Sequence, residues 1–161
     1  MDHLAIIVKD TYTLSTLRHR VRVLKNYLIN KMFTQDDENK HQIDPEDLVW
    51  LEGLGTDFLN SFNKDNTYPI FSQIDQSLEK ISPLVIYLPF PTNDQIQIHL
   101  GEFIRKAFSK NLIFDTKFDP NLIAGCALSW QGIYRDYSLR KKIVDNRNQL
   151  LQNFKKYLKH E

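Results

Sequence analysis

The sequence predicts an α+β protein. An N-terminal helical bundle over residues 1–82 precedes a small β-α-β-β-α domain over residues 83–161, with a terminal hairpin and a long C-terminal helix. Three observations carry this expectation. Apolar residues in the first half recur at intervals of three and four, which places them on one face of a helix. Short β-branched and aromatic runs bounded by Pro, Gly and Asn begin only after Ser82-Pro83. The chain has 161 residues, 42% of them apolar, with ten Phe, seven Tyr and two Trp. Too many apolar anchors are present for a disordered segment, and a length near 150 residues suffices to bury roughly 68–70% of the unfolded surface.

Taken in order, Leu14, Leu17, Val21, Leu24, Leu28 and Met32 form the first helical stripe, and the polar run over residues 35–42 reads as a loop. Asp44-Pro45 is a helix start, because the Asp oxygen can accept a free amide and proline needs none in the first turn. Leu48, Leu51, Leu54, Phe58 and Phe62 then make a second stripe, with Gly53-Leu54-Gly55 inside it, and Asn63 to Asn66 ends it. A shorter helix over residues 70–81 carries Phe71, Ile74, Leu78 and Ile81. Leu84 to Leu88 is a strand stopped by Pro89 and Pro91. Thr92-x-x-Gln95 is a capping-box pattern for a helix with Ile96, Leu100, Phe103, Ile104 and Ala107 on one face. Leu112 to Phe118 gives a second strand, Asp119-Pro120-Asn121 a turn, and Leu122 to Trp130 a third strand. Gln131-Gly132 reverses the chain into Ile133-Tyr134. Asp136 or Ser138 caps the last helix, whose Leu139, Ile143, Leu150, Phe154 and Leu158 are expected to point inward.

Charge is balanced in total and uneven in place. There are 21 Lys plus Arg against 20 Asp plus Glu. Residues 1–35 are basic, with Lys9, Arg18, Arg20, Arg22, Lys25 and Lys31. An acidic stretch from Asp36 to Asp57 follows, and the tail is basic again from Arg135 to Lys159. Such blocks suit docking to complementary protein surfaces. No apolar run approaches the ~20 residues that span a bilayer, and the start has no secretory pattern. The lone Cys126 excludes an internal disulfide, so a reducing, cytoplasmic setting is expected. Phosphate-binding loops, nucleophile elbows and metal-ligand spacings are missing, Asp36, Asp37 and Glu38 lack the periodicity of a Ca²⁺ loop, and the five histidines are scattered. Neither catalysis nor any cofactor or metal is therefore expected.

The most specific stretch is Phe118-Asp119-Pro120-Asn121-Leu122-Ile123-Ala124-Gly125, then Gln131-Gly132, then Asp136-Tyr137-Ser138-Leu139-Arg140-Lys141-Lys142-Ile143. Physically, Ala124-Gly125 permits close approach of the hairpin to a helix, and Asp136 and Ser138 satisfy the first amides of the last helix. From Leu84 to about Leu151 the chain resembles the C-terminal domain of the F-type ATP synthase delta subunit, called in mitochondria the oligomycin-sensitivity conferral protein. That family's pattern runs Asp-x-x-Leu-Ile-small-Gly, a strand, a glycine turn, then Asp-Gly-Ser-Val. Tyr137 stands where the family usually has glycine, and Arg135 where an apolar residue is common. The N-terminal half lacks the family's early Tyr-Ala-x-Ala-Leu signature, and its helical bundle is shorter than the family's.

The resemblance implies a non-catalytic stator subunit in the peripheral stalk of a proton-translocating ATP synthase. It would sit at the cytoplasmic face of the cell membrane as part of the complex. Its helical domain would grip N-terminal segments of the alpha subunits, and its C-terminal domain the peripheral-stalk b subunits. The residues expected to make the first contact are Leu17, Val21, Leu24 and Leu28, flanked by Arg18, Arg22 and Lys25, the other reading being that these apolar positions only close the bundle. For the second they are Phe154, Tyr157 and Leu158 with Lys141, Lys142, Lys155 and Lys156. Two other readings stay open: a helical adaptor or stalk subunit of another rotary ATPase, and a nucleic-acid-binding protein using the helix from Arg18 to Arg22.

Overall fold

The computed structural model describes residues 2–33, 43–108 and 111–158. The expected loop over 35–42, with Asp36, Asp37 and Glu38, and the C-terminal Lys159 lie outside them. Mixed α/β structure is present as expected: among the described residues, eight α-helices and one four-stranded sheet. Contacts divide the chain into two compact units, residues 1–81 with 101–113 and residues 82–100 with 114–161.

The first unit is helical. Helix α1 (His3–Lys9) starts at Asp2, whose side chain accepts the Ala5 amide, and buries Ile7 and Val8. The sequence reading missed this helix, because seven residues are two turns and show too little periodicity to stand out. Helix α2 (Leu14–Phe33) follows the expected stripe, with Leu14, Leu17, Val21, Leu24 and Leu28 all buried. At α3 (Pro45–Gly53) Asp44 caps the Glu46 amide and Pro45 occupies the first turn, as anticipated. The second stripe is not one helix. It breaks after Gly53, Gly55 takes a φ of 83°, and α4 (Thr56–Asn60) restarts so that Phe58 still reaches the core. Helix α5 (Thr67–Lys80) begins three residues earlier than the expected 70, behind a turn knotted by its own amides. There Asn63 Oδ1 accepts from the Asp65 and Asn66 amides, and Thr67 Oγ1 donates to the Asn63 carbonyl. Phe58, Phe62 and Phe71 form an aromatic chain with centroids 5.4 and 5.7 Å apart. Each such side chain stabilises the unit by ~1.5–3 kcal/mol relative to exposure.

The second half of α6 (Asp94–Ala107) completes this unit. Gly101 lies so close to Tyr12 that a Cβ would overlap the ring carbons and come within 2.7 Å of the Tyr12 Cβ. One turn on, the Arg105 guanidinium stacks on the Tyr12 ring at 4.5 Å and donates to the carbonyls of Val8, Lys9 and Thr11. Those carbonyls belong to the end of α1 and the turn after it, where a helix runs short of donors, although Val8 also accepts the Asp10 and Thr11 amides. Arg105 therefore caps α1 from another helix. Burial lowers its basicity, with Tyr12 and Asp10 opposing the change.

In the second unit β1 (Leu84–Leu88) pairs in parallel with β2 (Phe114–Phe118) and antiparallel with β3 (Ala127–Trp130), which pairs antiparallel with β4 (Ile133–Asp136). The sheet order is β2-β1-β3-β4. Ile86 of the central strand is opposite Thr116 on one side and Leu128 on the other. Asn93, not Thr92, caps α6: its Oδ1 accepts the Ile96 amide, while the Thr92 hydroxyl meets Gln97 and Thr116. The expected third strand loses its first half. Asp119 accepts the Asn121 amide, Pro120–Leu122 form a single 3₁₀ turn, and Ile123 has a φ of 67°. Gln131 and Gly132, at φ of 49° and 79°, make the tight β3–β4 turn.

Gly125 does bring chain close to chain. At its φ of 84°, a Cβ would sit 2.7 Å from the Tyr137 carbonyl oxygen and 3.2 Å from the Ser138 Cα. The segment is laced to the hairpin exit by the Tyr137 amide on Cys126 and the Leu139 amide on Ala124, each at 2.9 Å. Both proposed caps operate: the fully buried Ser138 hydroxyl accepts the Lys141 amide, and Asp136 accepts the Ser138 amide. The long last helix is interrupted at Asn146, giving α7 (Leu139–Asp145) and α8 (Arg147–Tyr157). Its stripe does not point inward. Leu139, Ile143, Leu150, Phe154 and Leu158 are all exposed, and neither helix buries a residue. No helix among the described residues is long and apolar enough to cross a membrane.

Candidate partner-docking surfaces

For Leu17, Val21, Leu24 and Leu28 the partner contact that the resemblance implies competes with simple closure of the bundle, and the fold gives them to the bundle interior. All four are buried against α1 and α3–α5 residues such as Ile7, Leu51, Phe58 and Phe71. The stripe that recruits α2 to the core cannot also be its outer face. Val21, at the edge of the stripe, lines a groove.

That groove runs between α2 and α5, with a volume near 540 Å³. Its floor is Val21 and Leu78. Arg18, Arg22 and Lys25 make the α2 wall, and Asp75 and Glu79 the α5 wall. The spacing explains the arrangement: positions 18, 22 and 25 share a helix face, as do 75, 78 and 79. Lys25 leans across to Asp75 at 3.8 Å and over the Phe71 ring at 5.9 Å. A half-exposed pair at that distance is worth little, so it yields readily to a charged ligand. The groove thus offers an apolar strip with a cationic edge and an anionic edge.

Neighbouring cations of α2 are differently placed. Arg20 donates to the Asp10 carbonyl and the Thr11 hydroxyl and lies over Trp50 at 5.0 Å. Burial lowers its basicity against the pull of Asp10 and Asp47. Its charge is spent inside the unit. His19 contacts Asp47 of α3 through Nε2 at 2.8 Å and Arg22 through Nδ1 at 3.3 Å. A second groove of about 350 Å³ is lined by Tyr27 and Lys31 of α2, Leu51 and Glu52 of α3, and Leu59 of α4.

On the sheet-containing unit the residues chosen from sequence share one feature: Lys141, Lys142, Phe154, Lys155, Lys156, Tyr157 and Leu158 are all exposed. Phe154, Tyr157 and Leu158 keep 66%, 80% and 74% of their surface in water, which for apolar side chains on one helix is unusual. Leu150 and Leu151 extend the stripe, and no acidic residue occurs between Arg147 and Leu158. Sequence reasoning missed a cavity of about 250 Å³ where Asp119 and Asp136 meet Tyr134, Arg140, Lys141 and Val144. Tyr134 is made less acidic there by desolvation and by Asp136, Asp119 and Tyr87. Only the side of the sheet facing α7 and the positions of two turns reveal that cluster, so no local pattern could have signalled it.

Among the described residues no group of three or more His, Cys, Asp or Glu side chains could hold a metal ion. His99, read as a surface or packing histidine, contacts the Gln95 carbonyl on its own helix at 2.8 Å. What the two units present is therefore shaped and charged surface. No family model matches the chain, and no curated protein matches it.

Proposed function

We propose that the protein is a stator subunit of an F-type ATP synthase, of the delta or oligomycin-sensitivity conferral kind, linking the catalytic head to the peripheral-stalk b subunits. The observation that carries this reading is the uncovered apolar stripe of α7 and α8, Leu139, Ile143, Leu150, Phe154 and Leu158, flanked by Lys141, Lys142, Lys155 and Lys156. A helix pair of that composition is the counterpart of another amphipathic helix. The stretch that resembles the family contains this stripe's first half and the caps that launch it.

The α2–α5 groove supports the second attachment. An N-terminal segment of the alpha subunit would lie as a helix on Val21 and Leu78, with acidic residues toward Arg18 and Arg22 and basic residues toward Asp75 and Glu79. A joint that resists torque needs two such contacts and no reacting group. Each would bury on the order of 1,200–2,000 Å² to stay closed. The nucleic-acid alternative is weakened by Arg20, whose guanidinium is occupied within the bundle.

Affinity purification of the tagged protein from detergent-solubilised membranes of its native host tests the proposal. Alpha, beta and b subunits with ATP hydrolysis activity are expected. The Lys155→Glu/Lys156→Glu protein should lose b while retaining alpha. A clean preparation with none of these subunits would reject the stator reading and favour an adaptor.

A further inference from the structure

We infer that His19 controls whether Arg22 is free to serve the α2–α5 groove, which makes docking there dependent on pH. This rests on the reading of that groove as a partner site.

Arg22 is a donor only, so its 3.3 Å contact with His19 Nδ1 requires a lone pair on that nitrogen. The proton of the neutral ring is then on Nε2, where it is donated to Asp47 Oδ2 at 2.8 Å. The neutral ring thus bridges an anion on α3 and a cation on α2. A proton added at Nδ1 turns the acceptor into a donor facing a guanidinium, and the contact becomes repulsive. The Nε2 bond to Asp47 meanwhile becomes charge-assisted and holds the ring in place. Arg22 is then left without its acceptor on a groove wall that it already lines, available to a ligand's carboxylate.

The other charges around His19 do not undo this. Arg20 on α2 is fixed by the Asp10 carbonyl, the Thr11 hydroxyl and Trp50. Arg18 of α2 lines the groove beside Arg22, and on α3 the carboxylate that the ring meets is Asp47. Histidine changes charge in the pH 5–8 interval, where carboxylates, lysines and arginines ordinarily do not. Acidification therefore releases Arg22 and adds a positive charge beside it, with the remaining rim unchanged. A segment presenting a carboxylate to Arg22 binds more tightly at pH 5.5 than at pH 8, by about two- to tenfold, the worth of one modest hydrogen bond.

The test uses the full chain and has two readouts. Arginine side-chain NMR follows Arg22 Nε–H from pH 8 to 5.5 alongside the His19 ring signals, in the wild type and in His19→Gln. Glutamine can donate to Asp47 and accept from Arg22 without titrating. In parallel, the affinity for a synthetic peptide of the host's alpha-subunit N-terminus is measured over the same range. Arg22 should move with the His19 midpoint and the affinity should rise as pH falls. Both changes should vanish in His19→Gln, which should keep the wild-type affinity of pH 8. The inference is overturned if Arg22 ignores the His19 transition, if His19→Gln retains the pH dependence, or if the peptide binds equally at all pH values. A peptide that binds at no pH counts against the stator reading alone, because the Arg22 signals then decide the switch in the free protein.

Discussion

Adding one methyl group at Gly101 should weaken the helical unit, although the same change in an open helix would strengthen it. Glycine to alanine in a helix interior is favourable by about 1 kcal/mol. Here the new Cβ overlaps the Tyr12 ring and reaches within 2.7 Å of the Tyr12 Cβ, an atom held by the backbone. Forcing a carbon into such a contact costs about 1–3 kcal/mol. If the ring swings away instead, Arg105 loses a stacking partner at 4.5 Å, worth about 0.5–2 kcal/mol. Net destabilisation of up to about 2 kcal/mol is expected by this reckoning. The chain has two tryptophans, Trp50 in this unit and Trp130 in the other. Urea titration in a Trp130→Phe background, read by Trp50 emission, therefore reports the helical unit alone. In Tyr12→Ala protein the Gly101→Ala change should stabilise by up to about 1 kcal/mol, a reversal of sign characteristic of residues in contact. A Gly101→Ala protein at least as stable as the wild type would refute the reasoning.

Two further outcomes concern the sheet-containing unit. Gly125→Ala must place a side chain at a φ of 84°, 2.7 Å from the Tyr137 carbonyl. A loss of about 2–4 kcal/mol follows, to be read from Trp130 emission in a Trp50→Phe background. Hydrogen bonds from the Ser138 hydroxyl and backbone hold the Asp136 carboxyl below the usual carboxylate range. Its stabilising effect is therefore complete above the unfolded value of about 3.9 and is lost as pH falls through the lower folded value. The Ser138 and Lys141 amide resonances should be constant from pH 8 to 5 and shift only in that acid window, with no such transition in Asp136→Asn.

What could be read in advance divides by the range of the interaction responsible. Helix α2, the Asp44-Pro45 start, the Gln131-Gly132 turn and the paired caps Asp136 and Ser138 are set by neighbours within a few residues. All of them were legible. The break between α3 and α4 was not, because the stripe Leu48–Phe62 keeps helical spacing across it, and burial of Phe58 survives a change of axis at Gly55. The third strand was drawn too long because Leu122 and Ile123 are β-type residues, yet Asp119 and Pro120 fold them into a turn.

The candidate surfaces show the same limit. Periodicity locates an apolar face without saying whether the chain itself covers it. Leu17, Leu24 and Leu28 therefore fit closing the bundle as well as facing a partner, as do Phe154 and Leu158, while Leu150 is expected only to point inward. Burial separates them: the first set closes the bundle, and the second is left in water. The groove between α2 and α5 and the cluster around Asp119 and Asp136 arise from segments distant in the sequence. The contact of Arg105 with Val8 and Lys9 spans almost one hundred residues, and no local pattern encodes it.

Helix α8 has a consequence for how the protein fares in a cell. Eleven residues is below the length at which a lone helix holds together in water, and this one has no buried side chain to anchor it. Its local opening should cost almost nothing in the free chain, so a protease will find Lys155 and Lys156 long before it finds the bundle. A covering helix removes that opportunity. Cleavage at these lysines thus becomes a measure of whether α8 is covered, and uncovered copies are the ones lost first.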